Sequence, residues 1–219
     1  MDYRIIKEND THYKLEINSN LSSIIYKSIL KLNFLSFPII YGNYFFFNSM
    51  SVETLKENLN KYDNGLLTYE KSIHLMACIS KQIIILQENG FTFSGFNLDD
   101  IIVVDNEYFI VVSAHNLYNF NKDNDLFLIN SFIINPFFSS PELISQKSLP
   151  FYLHYKSCYY SLASLVIYCL INNSDNNLIV YKNDMEIDTI LKYIINTKLY
   201  WFLKRCLNKN IEERKLLYV

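Results

Sequence analysis

A chain of 219 residues, half of them apolar and 16% aromatic, has material for one full domain with a sizeable core, or for one domain and a small appendage, and is no disordered polymer. Its formal charge of −2, with Lys and Arg scattered rather than gathered into a stripe, argues against a nucleic-acid partner. The longest apolar run, YYSLASLVIYCLI at 159–171, is too short to span a bilayer, and the charged opening MDYRIIKENDTHYKLEI lacks the apolar stretch of a signal peptide. The expectation is therefore an intracellular, cytoplasmic protein without a membrane partner. Cys78, Cys158, Cys169 and Cys206 are far apart and form no C-x-x-C pair, so they read as buried free thiols in a reducing compartment rather than as a zinc or redox site. The weight of Asn, Ile, Lys, Tyr and Phe is what an AT-rich genome produces, for instance that of a large DNA virus or of certain parasites.

Residues 3–7 and 12–18 read as short strands separated by the polar turn ENDT. NSNLSSIIYKSILKLN offers Asn or Ser as a cap and then Ile24, Ile25, Ile29, Leu30 and Leu32 at helical spacing. Beyond Pro38, IIY and YFFFN are split only by Gly42 and Asn43, which predicts a tight hairpin. SVETLKENL, with a Ser cap and Glu53 in its first turn, predicts a short helix. TYEKSIHLMACISKQIIILQENG predicts a long one, capped by Thr68 and ended by Gly90. DIIVV and YFIVV around the turn DNE form a second hairpin. Residues 113–140 show little periodicity and predict a long ordered loop, and NNSDNN at 172–177 a polar one. Helices are expected at 156–171, about 186–195, and 198–208. With strands concentrated before residue 48 and helices after it, the predicted class is α+β, with a β/α section over 1–48 and a mostly helical domain over 49–219.

A long helix, a loop, a hairpin, a long loop ending in SSPELI, a very apolar helix and a terminal FLKRCLNKNIEER form a series that resembles the C-terminal lobe of the eukaryotic protein kinases, over roughly residues 36–219. SSPELI is similar to the Ala-Pro-Glu motif that closes the activation segment, and FLKRCLNKNIEER to the penultimate helix and the Arg after it. The resemblance implies a kinase-like fold with a helical C-lobe and a strongly reduced, β-rich N-lobe. It also implies a buried ion pair between Glu142 and Arg214.

Phosphoryl transfer relies on positioning and charge stabilisation, so it needs particular groups in particular places. Laid over the family's catalytic loop, its His-Arg-Asp falls on Phe93, Ser94 and Gly95, its Lys on Asn97 and its metal-binding Asn on Asp100. The magnesium-binding Asp-Phe-Gly falls on Ser113, Ala114 and His115. Asp100 keeps an oxygen donor that suits a hard cation, but a Ser hydroxyl poorly replaces a carboxylate. No glycine precedes Gly42, so a glycine-rich phosphate loop is excluded. The family's helix Glu falls near Ser28. Its strand Lys has no firm counterpart, with Lys14 reading as a solvent-facing strand residue. The Asp and Trp of the apolar helix fall on Cys158 and Tyr160.

The expectation is a pseudokinase: no catalytic residues, no cofactor, no metal, and a role as a binding or scaffold module for a protein partner. The aromatic YFFF at 44–47 is a candidate contact surface, unless those rings fill the cleft where a nucleotide would sit. Two other functions compete with it. One is a divergent phosphotransferase using Asp99, Asp100, Asp123 or Asp125; the other is a viral structural protein with no kinase role.

Overall fold

The computed structural model describes residues 2–129, 137–171 and 184–218. Strands β1 (Tyr3–Lys7) and β2 (His12–Ile17) form an antiparallel pair. The turn between them is held by Asn9, whose Oδ1 accepts from the backbone N–H groups of Thr11 and His12. Alternation then buries Tyr13, Leu15 and Ile17 on one face. Helix α1 (Ser22–Leu32) lays Ile25, Tyr26, Ile29 and Leu32 into the core. Its first turn has no side-chain cap, contrary to the Asn or Ser expected there, and its end is turned by Asn33 in the left-handed region.

Strands β3 (Ser36–Tyr41) and β4 (Tyr44–Asn48) pair across Gly42 and Asn43. Gly42, at φ +58°, supplies the backbone that a two-residue hairpin turn demands at its first central position. The resulting sheet has the order β1-β2-β4-β3. Phe45 and Phe47 are buried on its inner face, stacking on Tyr26 and Tyr13. Thus half of YFFF serves the core beneath the sheet. The most exposed aromatic side chains of this hairpin are instead Phe37 and Tyr41 on β3.

After the short strand β5 (Val52–Thr54) come helices α2 (Leu55–Leu59) and α3 (Tyr69–Gln87). The cap of α2 is Thr54, in a reciprocal capping box with Glu57, and not the Ser expected three residues earlier. Thr68 caps α3, accepting from the Lys71 N–H. Next follow β6 (Phe91–Phe93), β7 (Ile101–Val104), β8 (Tyr108–Val111), β9 (Leu117–Asn119) and β10 (Asp125–Leu128). Then come α4 (Pro141–Ile144), β11 (Phe151–His154), α5 (Ser157–Leu170), α6 (Asp184–Ile190) and α7 (Lys198–Cys206). Beyond the first sheet, the strands assemble as β5-β7-β8, β6-β9 and β10-β11, all antiparallel.

This corrects the expected fold class. The chain is mixed α/β, with four small antiparallel sheets among the described residues, not a helical lobe behind a strongly reduced β section. Among the described residues, seven of the eleven strands, β5 to β11, fall within 49–219, and the opening 48 residues hold a four-stranded sheet with an eleven-residue helix. The three-residue strands β5, β6 and β9 are too short to display an alternating pattern, and their pairing partners lie elsewhere in the chain. Within 113–140, expected as a loop, β9 pairs with β6 and β10 with β11. Residues 130–136 of that stretch and the NNSDNN segment lie outside the described residues.

One hydrophobic cluster runs through both halves of the chain, from Tyr3 to Leu207, with α3 and the almost wholly buried α5 at its centre. Gln82 of α3 is fully buried within it. Its Nε2 donates to the Val111 carbonyl (2.9 Å) and to Ser28 Oγ (3.1 Å), while its Oε1 accepts from the Val111 N–H (2.9 Å). One amide thus fastens β8 and α1 to α3. Gln82→Leu leaves both backbone groups of Val111 buried without partners, at about 1–3 kcal/mol for each such group. We expect this variant to lose about 2–4 kcal/mol in urea unfolding with an unchanged m-value.

Candidate functional site

The segment from Phe93 to Asp100 leaves β6, makes a tight turn and enters β7. Phe93 is buried, its ring 5.5 Å from that of Phe96. Ser94 is buried too, and its N–H donates to the Asn116 carbonyl (2.8 Å). Gly95 has neither a left-handed backbone nor a crowded Cβ direction: a Cβ there would meet only Ser161 Oγ, at 3.9 Å. Sterics at the Cβ do not demand glycine at this point.

Asp100 closes the turn at 98–100. Its Oδ2 accepts from Asn97 Nδ2 at 2.9 Å and, more weakly, from Asn116 Nδ2 at 3.5 Å. Burial is the largest influence on this carboxyl and lifts it above the ordinary carboxylate range. The Asp2 carboxylate pushes the same way, while hydrogen bonding from Asn97 and the nearby Ser113 hydroxyl opposes the rise.

Across from Asp100, Ser113 and Ala114 are capped by a residue from the other end of the molecule. The carboxylate of Asp2 accepts from Ser113 Oγ (2.7 Å) and from the Ala114 N–H (2.8 Å). The next residue, Tyr3, donates its hydroxyl to the Asp99 carbonyl at 2.5 Å, and burial, followed by the surrounding carboxylates, raises the affinity of that hydroxyl for its proton. The start of β1 is therefore stitched across the 97–100 turn and the 113–114 corner. Sequence reading did not single out Asp2, and no local signal marks it: its partners lie more than a hundred residues away. His115 is exposed, and its own N–H donates to Ser113 Oγ (3.2 Å).

Of these groups, Asp2, Asn97, Asp99, Asp100, Ser113 and His115 line a cavity of about 740 Å³. Its lining is acidic at Asp2, Asp99 and Asp100 and apolar at Leu98, Phe137, Phe138 and Tyr168. Among the described residues, Lys56 is the single lysine of the lining, and it is already 3.2 Å from the Asp99 carboxylate. Asp123 and Asp125 do not line this cavity; their backbone N–H groups belong to a turn held by Asn121 Oδ1. Among the described residues, no group of three or more His, Cys, Asp or Glu side chains is arranged to hold a metal ion.

No protein-family model and no curated protein matches this chain.

The remaining sites of interest have other employments. Ser28 is buried, donates to the Ile25 carbonyl (2.8 Å) and accepts from Gln82, so it serves the α1–α3 contact. Lys14 lies on the outer side of β2 with its ammonium 3.6 Å from the Tyr44 ring centroid. Cys158 is fully buried beside Thr92 Oγ1 (3.2 Å), and burial pushes its thiol up to about 12. All four cysteines are free and buried.

Glu142 and Arg214 do come together. The Arg214 guanidinium is fully buried and grips Glu142 with two nitrogens, Nη1 at 3.1 Å from Oε2 and Nη2 at 2.5 Å from Oε1. Its Nε donates to the Asn208 carbonyl (2.8 Å), and its Cζ lies 5.0 Å from the ring centroid of Tyr160. The 3₁₀ turn 211–213 and the capping of α4 by Ser140 set the two ends of this bridge. Such a fork-on-fork contact fixes direction as well as distance.

Two outcomes follow. Glu142→Ala strands a buried guanidinium and is expected to cost about 3–5 kcal/mol in chemical denaturation, as is Arg214→Ala, with the double variant costing clearly less than their sum. Independent, sub-kcal effects would contradict the bridge. For Asp100, the folded state holds the proton more tightly than the unfolded chain, so stability is lost as pH rises from the ordinary value of 3.8 through the raised folded value. Asp100→Asn is therefore expected to gain stability relative to the parent at pH 7, with that gain vanishing in melts below the ordinary carboxylate value.

Proposed function

We propose that this protein is a catalytically inactive relative of the protein kinases that acts by binding, as a scaffold for a protein partner. The observation that carries the reading is the Asp2 carboxylate bonded to Ser113 and Ala114. Under the resemblance, that corner would present a metal-binding carboxylate to a nucleotide; here it is a hydroxyl and a backbone amide, both occupied by Asp2, just ahead of β1. Charge argues in the same direction. A triphosphate entering this cavity meets Asp2, Asp99 and Asp100, with one lysine already paired, so the local field repels it. The Glu142–Arg214 bridge supports the kinase relationship itself, since a pair of this kind is what the motifs SSPELI and NIEER imply together. The four free, buried cysteines suit a reducing, intracellular compartment.

A thermal-shift titration with millimolar magnesium and ATP tests the proposal, because a ligand that binds only the folded state stabilises it in proportion to ln(1 + [L]/Kd). No shift is expected, and no transfer of phosphate to the protein or to added substrates. A large shift abolished by Asp100→Asn would overturn the reading.

A further inference from the structure

Helix α1 has a second flank beside the one it buries. Ile25, Tyr26, Ile29 and Leu32 go into the core, while Ile24, Lys27, Ser28 and Lys31 recur at i, i+3, i+4 and i+7. With the C-terminal end of α3 and the start of β6, that flank encloses a cavity of about 250 Å³. Ile24, Leu30, Ile85, Leu86 and Phe91 make its lining chiefly apolar. Its uncharged polar groups are already engaged. Ser28 donates to the Ile25 carbonyl and accepts from Gln82, and the Asn89 amide donates to the Ile85 carbonyl (2.7 Å).

What is left unmatched is charge. Lys27 and Lys31 are exposed, so their ammoniums stand at the mouth of the cavity, on one side of α1 and a single helical turn apart. Like charges in that arrangement cost a helix stability until an anion sits between them. Lys56, Lys61, Lys156 and Lys204 each have a carboxylate partner. Among the described residues no ion pair includes Lys27 or Lys31, and no acidic side chain lines the cavity. The chain has no acidic residue between Glu16 and Glu53, and α3 has none after Glu70.

We propose that this cavity binds a medium-chain carboxylate, with its apolar chain among Ile24, Ile85, Leu86 and Phe91 and its head group between the Lys27 and Lys31 ammoniums. The lysine stems extend the apolar wall beneath their charged ends, as long basic side chains do at such a rim. An apolar cavity of about 150 Å³ takes a benzene ring, so one of about 250 Å³ takes a chain of about ten carbons. A protein segment could place no more than a side chain or two there, whereas a small amphiphile enters whole. The site shares no residue with the acidic cleft, so the inference is independent of whether that cleft has lost its chemistry.

Isothermal titration calorimetry of the full chain with sodium decanoate, kept below its micelle concentration, tests this. One saturable site is expected, with a Kd below about 1 mM. Affinity is expected to rise about fourfold for each added CH₂ and to level off beyond about ten carbons, where the chain outgrows the cavity. Decylammonium keeps the tail and reverses the charge, and is expected to bind at least about tenfold more weakly. The Lys27→Gln/Lys31→Gln double variant is expected to lose decanoate affinity by a similar factor, with circular dichroism showing it folded. Lys122→Gln/Lys147→Gln removes as much charge elsewhere and is expected to leave binding unchanged. The absence of saturable decanoate binding at about 1 mM would overturn the proposal. So would equal binding of decylammonium, an affinity still rising at about fourteen carbons, or a loss shared by both double variants.

Discussion

A guanidinium cannot be taken fully out of water unless its charge and its donors are met, and Arg214 is taken out completely. Its partners come from three places that are distant in the chain: Glu142 in the first turn of α4, the Asn208 carbonyl after α7, and the Tyr160 ring in the first turn of α5. Meeting that one requirement fixes the approach of the C-terminal segment to the middle of the chain. It also anchors the segment that leads into α4, where Phe137 and Phe138 pack on Tyr168 of α5. The apolar wall of the cleft therefore stands where it does partly because a charge some distance away has to be paired.

The acidic part of the cleft is built on the same logic with the sign reversed. Three carboxylates gather at the 97–100 turn and the 113–114 corner, and each is managed by a different device. Asp2 takes a hydroxyl and a backbone N–H, Asp99 takes Lys56, and Asp100 takes the Asn97 amide, with burial raising its carboxyl above the ordinary range. A site built for phosphate would concentrate donors and cations instead. What the cleft offers is an internal fastening between the first strand and the centre of the molecule.

Long elements were legible in the sequence because their signal repeats. The apolar spacing of α3 over several turns, with Thr68 at its head, identifies it without help from the rest of the chain. So do the hairpins at Gly42–Asn43 and around Asp105–Glu107, where turn residues and flanking β-branched or aromatic runs agree. Short strands were not legible. In β6 and β9, three residues each, no period can be seen, and what makes them strands is the backbone of the other. The cap of α2 was misread for a related reason: Ser51 and Thr54 are both competent caps, and the choice went to Thr54 once β5 had paired with β7 and carried the chain in extended form up to that residue.

Asp2 marks the limit of the local view most clearly. Nothing near it in MDYR distinguishes a solvated acid from one that closes a cleft, since the difference lies wholly in Ser113 and Ala114. The amino-acid sequence by itself determined the long helices, the hairpins, the buried thiols and the absence of a phosphate-binding glycine loop, because each depends on residue type and near-neighbour spacing. Only the tertiary structure decided which carboxylates face one another and that the chain beyond residue 49 is laced with small sheets. Those outcomes depend on contacts between segments tens to more than a hundred residues apart, and the energy that selects them does not exist until the segments meet.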